Sequence, residues 1–346
     1  MSKQHRIVVA GCGEMSNVWI KELLKRDDAV IVGLVDVYIG QAEKVRDAYG
    51  LECGVYTGLE QAIVDTGADL VIDVTIPDSH YEISTTAMKH GCHVFGEKPM
   101  AATMREARKI IETADATGRS LSVMQNRRYD VNIRGLRELI SSGTIGRLGM
   151  INADFFLGPH FGGFRDVMES PLILDMAIHT FDQARFIVGA DPVSVYCHEF
   201  NPPGSWYKGN ASAVCIYEMS DGSVFSYRGS WCAEGVPTSW EGDWRIVGEK
   251  GTAIWDGIHA PYAEVLASEL AADDAAEKKF IRDMVRIEVP LNWSGKPGHE
   301  GCLDEMFQAL KEGRPAETDS RDNIHSMAMV LGAIESAKSG RKVMLG

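Results

Sequence analysis

The sequence predicts an α/β fold in two parts: a doubly wound parallel sheet, then an α+β half built on a mostly antiparallel sheet. Two observations carry the first part. Short apolar, β-branched runs lack any polar member, as strands buried on both faces do, and they alternate with helical patterns. A third carries the second part: beyond residue 126, strand-like segments follow one another through turns such as Ser220-Asp221-Gly222, which favours antiparallel pairing. The expected domains are residues 1–125 and 126–346, with the last helices free to pack back on the first domain.

Residues 7–10, Ile-Val-Val-Ala, form the first strand and run into Gly11-Cys12-Gly13-Glu14-Met15-Ser16. This is G-x-G-x-x-S, one position away from the dinucleotide fingerprint. The first glycine permits a tight turn, the second lets a pyrophosphate approach the backbone, and the third position must be small, which serine is. A helix follows, with Val18, Trp19, Leu23 and Ile20 as its apolar positions. Its first N–H groups and positive dipole end face a phosphate, so Gly11, Cys12, Gly13, Glu14 and Met15 are expected at the cofactor. The strand at residues 29–35 ends in Asp36. An acidic residue about 20 positions beyond the fingerprint holds the adenosine ribose hydroxyls in NAD-type sites, and it repels a 2′-phosphate. NAD is therefore favoured over NADP. The alternative for Asp36 is an ordinary turn aspartate.

Residues 41–49 and 59–66 read as helices, and residues 70–75 as the next buried strand. That strand breaks at Ile76-Pro77-Asp78-Ser79-His80. Pro77 is expected to end it, and Asp78 or Ser79 to cap a helix over residues 81–90. This loop lies at the same sheet edge as the glycine turn, which brings Thr75, Ile76, Pro77 and His80 to the cofactor crevice. The alternative for His80 is a plain helix-start residue, which the sequence alone favours. Val94-Phe95-Gly96 is a short buried strand running into Glu97-Lys98-Pro99. A lysine at the carboxyl end of a central strand sits where open α/β sheets bind ligands, and proline stops the ladder. Taken alone, Lys98 is also compatible with a solvated loop. A helix over residues 104–116 and a strand over residues 121–124 lead to Gln125-Asn126-Arg127-Arg128-Tyr129.

In the second half, residues 131–141 read as a helix and residues 150–156 as a strand. Further strands are expected at 193–198, 213–218, 224–231, 244–247 and 253–255. Residues 201–204 form a loop, residues 271–279 a charged, alanine-rich helix or loop, and residues 303–311 and 324–337 the closing helices. Residues 174–182 have helical spacing, with Leu174, Ala177, Ile178 and Phe181 on one face and Asp175, His179 and Asp182 on another. A carboxylate and an imidazole one turn apart can meet one ligand. Histidine exchanges a proton near neutral pH, and aspartate orients it or accepts a substrate hydroxyl. The alternative is a polar face turned to water. H-E-x-x-H is absent and these three residues make a poor metal set, so no metal is expected.

The 346 residues carry a formal net charge of −14, which argues against a nucleic-acid partner. Seven cysteines, odd in number and without C-x-x-C, point to buried thiols in a reducing compartment. Neither a signal peptide nor a membrane span is expected, and the protein reads as cytoplasmic.

Together, Gly11-x-Gly13-x-x-Ser16, Asp36, Thr75 to His80, Glu97-Lys98-Pro99, Asn126-Arg127-Arg128-Tyr129 and Asp175-x-x-x-His179-x-x-Asp182 resemble the Gfo/Idh/MocA oxidoreductase family, in the family's order, over residues 7 to about 190. The resemblance implies an N-terminal Rossmann domain, a C-terminal α+β domain with a large open sheet, and a homodimer or homotetramer paired through that sheet. It places Lys98 beside the nicotinamide and the reacting oxygen, His179 as acid/base, Asp175 at the substrate, and Glu97, Asn126 and Arg127 at the cofactor. The implied reaction moves a hydride between NAD and a secondary alcohol or ketone of a sugar, inositol or related polyol. An NAD-dependent glycosidase and a non-catalytic nucleotide-responsive binding protein are the alternatives. Two departures, Glu169-Ser170-Pro171 for the usual Gly-Gly and Ala177 for a glycine, reshape the substrate side. Trp206, Tyr207, Trp231 and Trp240 are candidate sugar platforms or sheet packing. Arg127, Arg128 and Arg165 are candidate anion contacts or surface residues.

Overall fold

A computed structural model describes residues 4–267 and 280–346. The stretch 271–279 therefore lies outside the described residues. The chain forms two compact units, residues 1–126 with 297–327 and residues 127–296 with 328–346.

The first unit is a six-stranded, all-parallel sheet in the order β3-β2-β1-β4-β5-β6. Its strands are β1 (His5–Ala10), β2 (Ala29–Val35), β3 (Gly54–Tyr56), β4 (Leu70–Asp73), β5 (His93–Gly96) and β6 (Leu121–Val123). The apolar runs of β1 and β4 are fully buried, as strands covered on both faces require. The order reverses between β1 and β4, and a crevice forms beyond the strand ends at such a switch point. The helices are α1 (Glu14–Leu23), α2 (Ile39–Tyr49), α3 (Leu59–Thr66), α4 (Pro77–Lys89) and α5 (Met104–Thr117). Thr103 and Glu106 close a capping box at the start of α5.

Two features of this unit differ from expectation. β3 has only three half-buried residues at the sheet edge, too few for a periodic signal. Helix α4 begins at Pro77, not residue 81, with Ile76 as its N-cap and no side-chain cap. Proline suits the first helical position because its φ is already helical and no N–H is needed there, so Pro77 starts the helix that it was expected to precede.

The second unit holds a nine-stranded sheet, β14-β13-β12-β11-β7-β10-β9-β8-β15. The strands are β7 (Leu148–Phe156), β8 (Pro192–Phe200), β9 (Ser212–Met219), β10 (Val224–Ser230), β11 (Asp243–Gly248), β12 (Gly251–Trp255), β13 (Tyr262–Leu266), β14 (Met284–Glu288) and β15 (Val343–Met344). Every neighbouring pair is antiparallel except β7 with β10. Strand β9 alternates Cys215 and Tyr217 inward with Val214 and Ile216 outward, the period-2 pattern of a sheet with one buried face. The core includes Phe155, Phe181, Tyr217, Phe225, Tyr227 and Trp244, together with residues of α6 (Val131–Ser141) and α7 (Ile178–Val188). β13, β14 and β15 were not expected. β14 is mostly exposed and carries Arg286 and Glu288, so pairing with β13, not burial, makes it a strand.

Helix α8 (Gly298–Glu312) belongs to the first unit, where Phe307 meets Phe95 edge-on at 5.2 Å and Arg26 bridges Asp28 and Asp304. Helix α9 (Ser320–Ser339) is divided by the unit boundary. Among the described residues, no helix is long and apolar enough to cross a membrane.

Candidate active site

The glycine turn after β1 is built for close approach. Gly11 has φ +92°, and a Cβ there would lie 2.6 Å from the Val74 carbonyl oxygen, so only glycine fits. A Cβ on Gly13 would meet nothing within 4 Å, which leaves open space over the start of α1. Gly13 caps α1 without a side chain, so the dipole end stays available to an anion. Ser16 is buried, and its hydroxyl donates to the Gly13 carbonyl at 2.6 Å, which is why a small polar residue serves at the third fingerprint position.

Asp36 brackets this turn. Its Oδ2 accepts from the Cys12 N–H and its Oδ1 from the Tyr38 N–H, each at 2.9 Å. A carboxylate has about four acceptor sites, so two remain for ribose hydroxyls. An uncapped helix start, an open glycine and a half-buried carboxylate fit the pyrophosphate and ribose of a dinucleotide. Glu14 and Met15 lie exposed in the first turn of α1.

The segment after β4 divides in two. Ile76 and Pro77 are exposed beyond the strand end, whereas His80 turns inward. Its Nδ1 lies 3.0 Å from Asp73 Oδ2, and both groups are buried. Thr75 donates to Asp73 Oδ1 through its hydroxyl at 2.6 Å and its N–H at 3.1 Å. Burial opposes the imidazolium, but the Asp73 carboxylate outweighs it and raises the His80 pKa above its ordinary value. His80 thus does more than start a helix: it ties α4 to the end of β4.

Glu97, after β5, accepts from the Trp19 indole N–H of α1 at 2.7 Å. This anchors the loop that carries Lys98, which is half-buried and joined to the buried Pro99 by a cis peptide bond. Asn126 opens a 3-10 turn, Asn126–Arg128, and is half-buried.

In the second unit, Arg127 donates to the Trp240 carbonyl and lies 3.8 Å from Glu241, whose other oxygen accepts from Gln183 at 2.5 Å. Burial lowers the Arg127 pKa and raises that of Glu241. Arg128 makes a two-pronged ion pair with Asp182, Nε to Oδ2 at 2.7 Å and Nη2 to Oδ1 at 2.6 Å, with side-chain exposures of 4% and 2%.

The Asp175–His179–Asp182 segment is not one regular helix. Leu172–Ala177 is a π-helix leading into α7. Asp175 therefore lies in the wider π-turn, ahead of the regular α-turns that carry His179 and Asp182. Asp182 leaves the set altogether and is held in the core by Arg128. The polar face does not meet water either, because every residue from Ile178 to Ile187 is buried. Asp175 accepts from Arg165 Nε at 2.7 Å, with side-chain exposures of 12% and 33%. Of the four aromatic candidates, Trp231 and Tyr207 are core residues and Trp206 stacks on His160 at 3.7 Å, so Trp240 alone keeps an exposed ring. The pairings of Trp19 with Glu97, Asp73 with His80 and Arg165 with Asp175 escaped sequence reading, since no local spacing links the partners.

A family profile described as "Oxidoreductase family, NAD-binding Rossmann fold" matches residues 5–125, and one described as "Oxidoreductase family, C-terminal alpha/beta domain" matches residues 137–345. The chain is similar to an inositol 2-dehydrogenase of Rhizobium meliloti, at 29% identity over 98% of this chain and 99% of the relative. It is also similar to a 1,5-anhydro-D-fructose reductase of Ensifer adhaerens, at 29% identity over 96% of each. Among solved structures, an oxidoreductase from Agrobacterium radiobacter in complex with NAD+, L-tartaric acid and magnesium superposes with a TM-score of 0.84 at 23% identity, covering 99% of both chains. That likeness is one of fold.

Proposed function

The chain belongs to the Gfo/Idh/MocA oxidoreductase family, and on that premise we propose that it is an NAD-dependent dehydrogenase or reductase acting on a secondary alcohol or ketone of a sugar, inositol or related polyol. The observation that carries the reading is the open Gly11–Gly13 turn bracketed by Asp36. It suits a dinucleotide, and the Asp36 carboxylate disfavours the 2′-phosphate of NADP. Gly11, Cys12, Gly13, Glu14 and Met15 then hold the pyrophosphate. Thr75, Ile76, Pro77, Glu97, Asn126 and Arg127 complete the cofactor side, while His80 supports it from within. When bound, the nicotinamide supplies the hydride donor or acceptor.

His179 takes or returns the substrate hydroxyl proton, Asp175 orients that hydroxyl, and Lys98 stabilises negative charge on the oxygen. Glu97, tethered to Trp19, steadies the loop that presents Lys98. The relatives named for inositol and anhydrofructose support the substrate class. Pairing of two copies through the outward face of the nine-stranded sheet accounts for its exposed Tyr196, Val214 and Ile216. A cytoplasmic location accords with seven free thiols.

The test is absorbance of reduced nicotinamide across inositols, aldoses, sugar acids and glycosides, with NAD or NADP and with Lys98→Ala alongside. Turnover with NAD is expected, falling by roughly 100-fold or more in the variant. Glycoside cleavage without net reduced cofactor would overturn the dehydrogenase reading, as would bound NAD with no turnover of any substrate.

A further inference from the structure

Three arginines flank the candidate chemistry in the second unit, and their engagements differ. Arg128 is committed through two nitrogens to Asp182. Arg127 is buried against Glu241 and the Trp240 carbonyl. Arg165 gives one N–H, that of Nε, to Asp175, and its side chain makes no other hydrogen bond among the described residues. A guanidinium bound through Nε keeps the edge formed by Nη1 and Nη2 for a second acceptor pair. That edge matches a carboxylate in width and geometry.

The setting of Arg165 differs from that of a surface arginine. Its guanidinium carbon lies 5.2 Å from the Phe161 ring centre and 4.7 Å from that of Phe164. Those rings are themselves 55% and 64% exposed. Aromatic faces hold the cation and shield one side of it from water, which strengthens any charge-assisted hydrogen bond that it makes. The rings come from the segment Phe161-Gly162-Gly163-Phe164-Arg165, where both glycines have φ near +70° (71° and 72°). Side chains rarely adopt that backbone, so the two glycines set the bend that brings Phe161 and Phe164 to one arginine.

We propose that Arg165 is a specificity-determining residue and that the substrate is a polyhydroxy acid, an aldonate or uronate, whose carboxylate is taken by Nη1 and Nη2 of Arg165. This deepens, and rests on, the dehydrogenase reading above. Because Arg165 and Asp175 touch at 2.7 Å, a carboxylate on the first and a hydroxyl on the second lie about one guanidinium apart. An acid with a hydroxyl on the carbon next to its carboxylate spans that distance. The positive charge of Arg165 offsets the repulsion between the substrate carboxylate and Asp175, so the ion pair admits an anion that Asp175 alone would reject. A neutral polyol offers the Nη edge only uncharged hydroxyl acceptors and forgoes the charge-assisted, two-pronged contact.

The experiment uses the full chain with NAD present and matched pairs of compounds: an aldonate against its alditol, and a uronate against its aldose. Calorimetric binding and formation of reduced nicotinamide are measured on the same samples for wild type, Arg165→Ala and Arg165→Lys. The acid of each pair is expected to bind on the order of 10- to 100-fold more tightly than its neutral partner. Arg165→Ala abolishes that difference. Arg165→Lys, which keeps the charge but not the fork, retains part of it and serves as the readout if the alanine variant fails to fold. Equal binding of acids and neutral partners by wild type overturns the proposal. So does a loss in Arg165→Ala that falls alike on both, since Arg165 then only positions Asp175. Arg165-dependent binding of acids with no reduced nicotinamide upholds the recognition and overturns the dehydrogenase reading instead.

Discussion

Asp36 has two jobs that one substitution separates. Its carboxylate brackets the glycine turn through the Cys12 and Tyr38 N–H groups, each at 2.9 Å, and the same two oxygens are proposed to accept the ribose hydroxyls. Asp36→Ala removes both sets. Two charge-assisted hydrogen bonds to the ribose, at the low end because the carboxylate is only half-buried, amount to about 3 kcal/mol, or roughly 150-fold in the NAD dissociation constant. NADP responds with the opposite sign on one count. Repulsion between a carboxylate and a phosphate about 4 Å apart is worth on the order of 1–4 kcal/mol per unit charge at the surface, and the variant loses it. The ratio of NAD to NADP affinity should therefore fall by roughly 100-fold or more. Fluorescence titration of the reduced cofactors measures both constants, and Asp36→Asn, which keeps one acceptor oxygen, should fall between. If alanine weakens NAD and NADP equally, Asp36 is a turn bracket alone, and the argument for NAD fails.

Two further predictions concern buried charge. Asp182→Ala strands the Arg128 guanidinium without its buried carboxylate and should cost about 3–5 kcal/mol of stability. Arg128→Met with Asp182→Leu should recover most of that loss in denaturant unfolding; a double variant no more stable than the single one would refute the pairing argument. The His80–Asp73 contact sets a pH dependence. The folded pKa of His80 is raised, so its contribution to stability is complete below the ordinary histidine value of about 6.5 and disappears as pH rises through the folded pKa. The denaturation midpoint should drop across that window in wild type and stay flatter in His80→Gln. An equal slope in both would show that the proton bound on folding sits elsewhere.

Much of this was readable from the chain, and the limits have physical causes. Strand and helix periods, the Gly11 turn and the Asp36 position depend on residues within a few places of one another, so local pattern suffices to find them. The helix start at Pro77 was misplaced because proline both ends strands and begins helices, and only the backbone path distinguishes the two. The strands β3, β14 and β15 are short or exposed and owe their form to neighbours across the sheet, which no period within them records.

The sequence by itself determined the longer strands and helices in their order, the parallel character of the first sheet, the nucleotide turn and the identities of Lys98, Asp175 and His179 as residues with usable chemistry. Tertiary structure decided what each charged group faces. It joined Trp19 to Glu97 across 78 positions and Arg128 to Asp182 across 54. It withdrew Asp182 into the core against Arg128 and left Arg165 against Asp175 with donors to spare. Partner choice depends on distance and burial, because an ion pair or a buried hydrogen bond forms only where the fold has excluded water and brought the two groups within about 3 Å. Those conditions exist only once the chain has folded.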